Sequence, residues 1–261
     1  MMNLDYYVAN PTGNITYLVK TPILILNQPK VAAELMAENP VCEQVGFLFS
    51  QDNECDIRLR MAAGEFCGNA TMSTAAVFCK ENNLQDGEER IVRVKTSGVK
   101  QVLNVRIKRD GEEYLGEVCM PQPTRIRDVL FRFEGHNYLY PVVEFPGISH
   151  VIIEDEMSIY MAEKAIKEWC ETLHTEGLGL MMIDETKTRI NPLVYVPKIN
   201  SLFWESSCAS GTTSVGAYYR KKEGKPLKMS FREPGGVLTI EAKENGDLIL
   251  GGRVYFENRV Y

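Results

Sequence analysis

Two cysteines, Cys67 and Cys208, stand at matching places in the two halves of this 261-residue chain. The residues after them stay in step at one offset (208 − 67 = 141), pairing Thr71 with Thr212, Ser73 with Ser214, Ala76 with Ala217, Phe78 with Tyr219 and Lys80 with Lys221. Two thiols on opposite sides of one pocket can remove a proton from one face of a carbon and return one to the other face. That is the chemistry of a racemase or epimerase that uses no cofactor.

Both cysteines precede stretches with helical periodicity, so each is predicted to lie at a helix N-terminus. The unpaired N–H groups of a first helical turn favour an anion, which predicts a lowered thiol pKa and a place for a substrate carboxylate. One thiolate is then the general base and the other thiol the general acid. The remaining cysteines are interpreted as small buried hydrophobic residues, at positions 42, 55, 79, 119 and 170.

The sequence pattern of each half is similar and predicts a duplicated α+β fold. Predicted strands cover Ile15 to Val19, Val45 to Ser50, Val151 to Ile153 and Leu178 to Ile183, and predicted helices cover Val31 to Glu38 and Met157 to Thr172. Each half ends in alternating strands joined by a tight turn, at Asp110-Gly111 and at Asn245-Gly246. Each half is therefore expected to be a mostly antiparallel sheet or barrel around a central helix.

Two domains are expected, because Pro121 and Pro123 interrupt the pattern between the halves. The first would cover residues 1–122, joined by the C-terminal tail 253–261, and carry Cys67; the second would cover residues 123–252 and carry Cys208. Two similar halves suggest a pseudo-twofold molecule with its active site in the cleft between the domains, where small-molecule sites are common.

Composition and net charge argue against several classes of binding partner. A net charge of −6 argues against binding a nucleic acid backbone, and no apolar run reaches the length of a membrane span. No signal peptide is recognised at the N-terminus, and an odd number of cysteines without Cys-x-x-Cys spacing favours a reducing cytoplasm over a zinc or disulfide framework. The expected partner is a small-molecule amino acid, with no metal, no organic cofactor, no nucleic acid and no membrane; a homodimer stays open.

The paired cysteine motifs resemble those of the diaminopimelate epimerase superfamily of cofactor-independent amino-acid racemases. Cys67-Gly68-Asn69-Ala70-Thr71, together with Gln44-Val45-Gly46-Phe47, is most similar to the histidine racemase branch. The resemblance covers nearly the whole chain, and it implies a reaction without pyridoxal phosphate in which Cys67 and Cys208 are catalytic.

The resemblance also implies a set of substrate-binding residues. Family members orient the amino acid with polar side chains that match Asn14, Gln44, Asn69 and Asn191 here. They add backbone N–H groups from both helix starts, which correspond to Gly68, Ala209 and Ser210.

Some positions depart from the family. The family's Asn-Pro-His triplet reads Ile148-Ser149-His150, so that His150 is kept and is a candidate supporting residue. Glu65 and Glu205 flank the cysteines and are further candidates for binding the substrate or tuning a thiol. No arginine lies between Arg189 and Arg220, where the family grips the distal carboxylate of diaminopimelate, so a substrate with a shorter or neutral side chain is expected.

The leading hypothesis is therefore a two-base racemase, closest to histidine racemase. Three alternatives stay open: a diaminopimelate epimerase with altered distal recognition, a phenazine-biosynthesis-type isomerase on the same fold, and a non-catalytic amino-acid-binding protein. The cysteine pair argues against the last two.

Overall fold

The computed structural model describes residues 4–257, which form two compact units. The first contains residues 4–119 and 251–257, and the second contains residues 120–250. The boundaries predicted after residues 122 and 252 lie close to these limits, and residues 258–261 of the predicted tail lie outside the described residues. The predicted α+β class is confirmed, with strands and helices in both units.

The first unit is a closed barrel of eight strands in the order β1-β2-β3-β4-β5-β6-β7-β16, closed by a pairing of β1 with β16. The β2–β3 and β4–β5 pairs are parallel, whereas β1–β2, β3–β4, β5–β6, β6–β7 and β1–β16 are antiparallel. The strands are β1 Tyr6–Pro11, β2 Thr16–Val19, β3 Gln44–Phe49, β4 Ile57–Met61, β5 Glu89–Thr96, β6 Leu103–Asp110, β7 Glu113–Met120 and β16 Leu248–Phe256.

Helix α2 (Gly68–Glu81) is the central helix of this unit. It contacts β1, β2, β4, β5 and β6, and nearly all of its side chains are buried. Its many alanine, serine and threonine residues let the strands approach closely. The larger Met72 packs against Gly116 of β7, where an added Cβ would lie only 2.2 Å from Met72 Cγ. A buried helix of this kind holds its first residues in a fixed position. The other helix of the unit, α1 (Gln28–Glu38), packs against β3.

The second unit contains a six-stranded sheet in the order β13-β12-β11-β10-β9-β8. Helix α3 (Ile159–Leu173) contributes Trp169 to its core, fully buried and stacked on Phe131 at a ring distance of 4.5 Å. Of the neighbouring strand pairs in this sheet, β10–β11 is parallel and the others are antiparallel. The strands are β8 Arg125–Phe133, β9 His136–Phe145, β10 Ile148–Ile153, β11 Leu178–Ile183, β12 Ile190–Val196 and β13 Ser201–Trp204.

Helix α4 (Ala209–Glu223) is the counterpart of α2 in the second unit. It contacts β9, β10 and β11 of the sheet and also the antiparallel hairpin of β14 (Leu227–Glu233) and β15 (Gly236–Ala242). Strands therefore pack on more than one side of it, as predicted for a central helix.

Two predicted helices are shifted at their starts, each for a local reason. Helix α1 begins three residues earlier than Val31, because Pro29 suits the first turn of a helix. Helix α3 begins two residues later than Met157, because Ser158 caps it by accepting a hydrogen bond from the Met161 N–H at 3.2 Å. In the described part of the chain, each helix is too short or too polar to span a membrane.

Candidate active site

Cys67 is the N-cap residue of α2, with extended backbone (φ −134°, ψ 116°) that turns into the helix at Gly68. Its sulfur accepts a hydrogen bond from the Ala70 N–H at 3.3 Å and donates one to Gln44 Oε1 at 2.7 Å. The residue is 9% exposed. Because an amide oxygen accepts hydrogen bonds and cannot donate them, the thiol is the donor in its contact with Gln44 Oε1.

Two predicted binding residues lie on the strands beside Cys67. Gln44 opens β3 and pairs with Thr16 of the parallel strand β2. Asn14, just before β2, is fully buried; its Nδ2 donates to Glu43 Oε2 at 2.9 Å, and its Oδ1 accepts from Thr16 Oγ1 at 3.3 Å. Because these residues occupy neighbouring strand ends, they form one polar cluster at the start of α2.

The turn after β5 supports the segment that leads into Cys67. Ser97 Oγ donates to the Glu65 carbonyl oxygen at 2.6 Å and accepts from the Met61 N–H at 2.9 Å. A Cβ on Gly98 would lie 2.3 Å from the Phe66 nitrogen, so only glycine fits there. The side chain of Glu65 is exposed, and its predicted role in binding or tuning stays a prediction.

Gly68 and Asn69 are the first two residues of α2, and both are buried. Their N–H groups belong to the first turn, which has no earlier helical carbonyl to bind. They are therefore placed as the sequence predicts, although substrate contact stays a prediction.

Cys208 is the matching N-cap residue of α4, again with extended backbone (φ −126°, ψ 99°). Its sulfur lies 3.7 Å from Ser210 Oγ, and the residue is 5% exposed. Ala209 and Ser210 open the helix, as Gly68 and Asn69 open α2. The predicted equivalence of the two cysteines thus holds for the backbone.

A buried carboxyl group that the sequence analysis did not single out lies beside Cys208. Glu233, the last residue of β14, is 3% exposed; its Oε2 accepts the Cys208 N–H at 2.6 Å, and its Oε1 accepts the Thr212 hydroxyl. Burial raises the pKa of the Glu233 carboxyl to about 8, with Glu205 adding to the shift and the hydrogen bonds from Thr212 and Cys208 opposing it. The position of Glu233 has a counterpart in the first half of the sequence. Glu233-Pro234-Gly235 and Thr96-Ser97-Gly98 each stand just before the final strands of their half.

The predicted low pKa of both thiols is wrong for Cys208. Burial raises the pKa of the Cys208 thiol well above its usual value; the charges of Glu205 and Glu233 and a hydrogen bond to Glu205 add to the increase, and the Gly211 N–H opposes it. Desolvation of the buried sulfur outweighs the partial charge of the helix terminus. Cys208 is therefore a thiol at neutral pH.

His150 on β10 reaches the same cluster. Its Nε2 lies 3.1 Å from Ser210 Oγ, and no described residue hydrogen-bonds its Nδ1. The ring is fully buried, which lowers the His150 pKa to about 3. A neutral ring of this kind can orient the Ser210 hydroxyl toward Cys208 and is too weak a base to hold a proton at neutral pH.

Glu205 and Asn191 complete the second cluster. The Glu205 N–H donates to the Pro192 carbonyl oxygen at 2.9 Å, which fixes the segment before Cys208 against the start of β12. Asn191, the neighbour of Pro192, is exposed. The structure thus places Glu205, Ser210 and His150 near the N-terminus of α4, and the role of Asn191 in substrate binding stays a prediction.

The other cysteines behave as predicted for buried hydrophobic residues, except that Cys119 is only half-buried. Burial raises the pKa of Cys42 to about 12 and that of Cys79 to about 11. Among residues 4–257, no group of three or more His, Cys, Asp or Glu side chains is arranged to hold a metal ion.

Comparison with known sequences places the chain in one family. Residues 3–255 match the family described as histidine racemase CntK N-terminal domain. A histidine racemase from Staphylococcus aureus is 32% identical over 248 residues, covering 92% of this chain and 89% of the relative. A histidine racemase from Fusobacterium nucleatum is 32% identical over 268 residues, covering 99% of this chain and 97% of the relative.

Solved structures share the fold at low sequence identity. A predicted epimerase from Pseudomonas aeruginosa has a TM-score of 0.70 and 12% identity, covering 97% of this chain and 96% of its own. A phenazine biosynthesis protein of the PhzF family from Enterococcus faecalis has a TM-score of 0.59 and 17% identity, covering 98% of both chains. At these identities the likeness concerns the fold alone.

Proposed function

Because this chain belongs to the histidine racemase CntK N-terminal domain family, we propose that it is a histidine racemase, an isomerase in which one of Cys67 and Cys208 removes the α-proton and the other donates its own proton to the opposite face of the α-carbon. The observation that carries the catalytic assignment is the matched geometry of the two cysteines. Each is the N-cap residue of its helix and has an extended backbone. The Cys67 sulfur accepts the Ala70 N–H, and the Cys208 sulfur lies 3.7 Å from Ser210 Oγ. The proposed mechanism needs no pyridoxal phosphate and no metal.

The substrate carboxylate is proposed to bind first-turn N–H groups at the helix starts that follow the cysteines. The candidates are those of Gly68 and Asn69 on α2, and of Ala209 and Ser210 on α4. As the α-carbon loses its proton, negative charge spreads into the carboxylate, where preorganised N–H donors stabilise it. These donors therefore lower the barrier as well as orienting the substrate.

Gln44 can serve both protonation states of Cys67. Its Oε1 accepts from the thiol in this structure. A rotation of the amide by half a turn would instead direct Nε2–H toward a thiolate, since the two ends of an amide are a donor and an acceptor. Gln44 is therefore proposed to stabilise Cys67 both before and after proton transfer.

In one direction, Cys67 as thiolate removes the α-proton and becomes a thiol. The electron pair left on the carbon is delocalised into the carboxylate, and Cys208 donates its thiol proton to the opposite face and becomes a thiolate. The reverse reaction exchanges the roles. The raised pKa of Cys208 suits it to be the acid in the resting enzyme.

Recognition of the substrate side chain is assigned to the polar residues near the cysteines. Gln44 bonds Cys67, and Asn14 bonds Glu43, the neighbour of Gln44. Glu205 lies three residues before Cys208 and bonds Pro192, the neighbour of Asn191. Both Glu65 and Glu205 are candidates for the substrate ammonium or imidazole group. No arginine occurs between Arg189 and Arg220 to grip a distal carboxylate, which favours histidine over diaminopimelate.

The test is exchange of the α-proton of L-histidine in D2O, followed by proton NMR together with decay of optical rotation. Wild-type protein should exchange and racemise L-histidine, and Cys67→Ser and Cys208→Ser should each lose at least about 100-fold of racemase activity, because a serine hydroxyl is a far weaker acid than a thiol. Cys119→Ser, at a half-buried cysteine outside both clusters, is the matched control and should retain activity.

Full racemase activity in either cysteine variant would overturn the two-base assignment. Exchange with diaminopimelate and none with histidine would overturn the substrate assignment. Binding of one enantiomer without exchange would turn the proposal into an amino-acid-binding protein.

We also propose a reducing compartment, the cytoplasm, as the site of action, because seven cysteines without a pairing pattern suit a reducing environment. The proposed partner is a free amino acid, with no nucleic acid and no membrane. A homodimer is compatible with this proposal and is tested by light scattering.

A further inference from the structure

The two cysteine clusters are alike in backbone and unlike in charge. The strand that follows α2 ends with Thr96, and the strand that follows α4 ends with Glu233. Both residues are buried, and each precedes a glycine turn that contacts the segment before a cysteine. One half of the duplicated fold thus has a neutral hydroxyl where the other has a titratable carboxyl.

Glu233 is part of a turn that holds the backbone around Cys208 by two hydrogen bonds. The Cys208 N–H donates to Glu233 Oε2 at 2.6 Å, and the Gly235 N–H donates to the Ser206 carbonyl oxygen at 2.7 Å. The β14–β15 turn therefore holds this segment at two points two residues apart. The backbone of Cys208, and with it the direction of its thiol, depends on the Glu233 side chain.

The equivalent threonines use their hydroxyls differently. Thr71 donates to the Cys67 carbonyl oxygen at 2.7 Å, within its own helix, whereas Thr212 bonds the Glu233 carboxyl. A threonine hydroxyl can donate to a carboxylate or accept from a carboxylic acid. Thr212 can therefore satisfy Glu233 in both of its protonation states.

We propose that Glu233 is a positioning residue for Cys208: as a neutral carboxylic acid it anchors the start of α4, and on ionising it opposes negative charge there. That charge is the Cys208 thiolate during turnover and the substrate carboxylate on binding. The inference rests on the proposed two-cysteine mechanism, and it assigns Glu233 no direct contact with substrate.

The groups around Glu233 agree with a neutral acid at neutral pH. Burial and the charge of Glu205, on the segment before α4, raise the pKa of Glu233, and the hydrogen bonds from Thr212 and Cys208 lower it. His150, which reaches Ser210 from β10, is neutral as well. Since burial dominates and raises the Glu233 pKa to about 8, the side chain loses its proton just above neutral pH.

The decisive variant is Glu233→Gln, because glutamine reproduces the shape and the hydrogen bonds of the neutral acid and cannot ionise. Its kcat/KM for histidine racemisation should be close to that of wild type at neutral pH. Above about pH 8 the ratio of variant to wild-type kcat/KM should increase, by as much as about tenfold per pH unit. The substrate titrates equally in both proteins, so the ratio isolates Glu233.

Two further variants separate anchoring from charge. Glu233→Ala removes the acceptor for the Cys208 N–H and should lower kcat/KM at every pH. Glu233→Gln keeps an acceptor there and should not show this loss. Glu241→Gln, on β15 of the same hairpin and with a half-exposed side chain, is the matched control and should follow the wild-type profile. A Glu233→Gln variant as impaired as Glu233→Ala at neutral pH, or one with an unchanged alkaline profile, overturns the proposal.

An infrared titration of the wild-type protein needs no variant and no substrate. A protonated carboxyl band should persist at neutral pH and disappear as pH is raised through about 8, because a carboxylate has no such band. Absence of that band at neutral pH overturns the proposal. Failure of the wild-type protein to exchange the histidine α-proton would instead overturn the proposed function and leave the infrared result standing.

Discussion

Cys67 and Cys208 hold equivalent places in their helices, but the acidity of a thiol depends on what surrounds it. The thiol of Cys67 bonds the neutral amide of Gln44, whereas Cys208 is buried close to Glu205 and Glu233. A helix N-terminus contributes a partial positive charge, which favours the thiolate. Burial of Cys208 beside two carboxyl groups favours the neutral thiol, and this second effect is larger. The two thiols are therefore expected to differ in function within one catalytic cycle.

His150 offers a test of burial at a single residue. Its pKa is lowered from 6.5 to about 3, so the folded protein keeps the ring neutral while the unfolded chain takes up a proton below about pH 6.5. Neutral His150 thus contributes stability that is present above pH 6.5 and is lost as pH falls toward 3.

We predict that His150→Gln lowers the free energy of unfolding by roughly 1–3 kcal/mol at neutral pH, because the packing and the bond to Ser210 change. The deficit relative to wild type should shrink as pH falls from about 6.5, since glutamine does not titrate. Denaturant unfolding at several pH values measures this, with the exposed His136→Gln as control. A deficit independent of pH would contradict a buried neutral histidine.

At the scale of elements, the segment before each cysteine is held by a turn between two later strands. In the first unit Ser97 and Gly98 support the Glu65–Phe66 segment, and in the second Glu233 and Gly235 support the Ser206–Cys208 segment. A helix start is thereby fixed by a strand that follows the helix in sequence. This arrangement makes the position of each sulfur sensitive to a distant turn.

At Gly98 the turn contacts the backbone before Cys67 most closely, so the position of the Cys67 sulfur is expected to depend on this residue. Its φ of +79° strains any residue with a Cβ, and the added Cβ would lie 2.3 Å from the Phe66 nitrogen. We predict that Gly98→Ala lowers both stability and racemase activity, because the backbone next to Cys67 must move.

Gly87→Ala separates the effect of backbone strain at a positive φ from the effect of the contact with Phe66. Gly87 has nearly the same φ, +78°, but apart from Gly87 itself and its two chain neighbours no described residue has an atom within 4 Å of the position that a Cβ would take there. It should cost only the conformational strain, about 1–2 kcal/mol, and leave activity unchanged. Thermal unfolding and histidine exchange measure both effects; equal losses in the two variants would show that strain alone matters at Gly98.

At the scale of the whole molecule, the chain returns to its first strand near its end. Strand β16 pairs with β1, with Val254 opposite Pro11, and the Thr12 N–H donates to the Arg253 carbonyl oxygen at 3.0 Å. This pairing closes the barrel around α2, so the rigidity of the Cys67 cluster depends on residues near the C-terminus.

Val254→Ala tests that dependence, because Val254 is fully buried in the closing strand. We expect a loss of roughly 2 kcal/mol in the free energy of unfolding, from lost apolar burial and the cavity left behind. Val237→Ala, at a valine of β15 that is 46% exposed, should cost much less. Equal effects of the two substitutions on the urea midpoint would contradict a stabilising role for barrel closure.

Features that depend on neighbouring residues could be predicted from the amino-acid sequence. The duplicated pattern predicted β11, and alternation with turn residues predicted the hairpins. The duplicated motif also located Cys67 and Cys208 at helix starts. The differences at the starts of α1 and α3 came from Pro29 and the Ser158 cap, which are local signals as well.

The charges around the two thiols could not be predicted in this way, because folding brings them together from distant parts of the chain. Glu233 lies 25 residues from Cys208 in sequence, and His150 lies 60 residues from Ser210, yet both reach the start of α4. A local pattern carries the preference of a residue for helix, strand or turn, because that preference depends on its immediate neighbours. The pKa of a buried thiol depends on desolvation and on charges brought close by folding, which no local pattern contains.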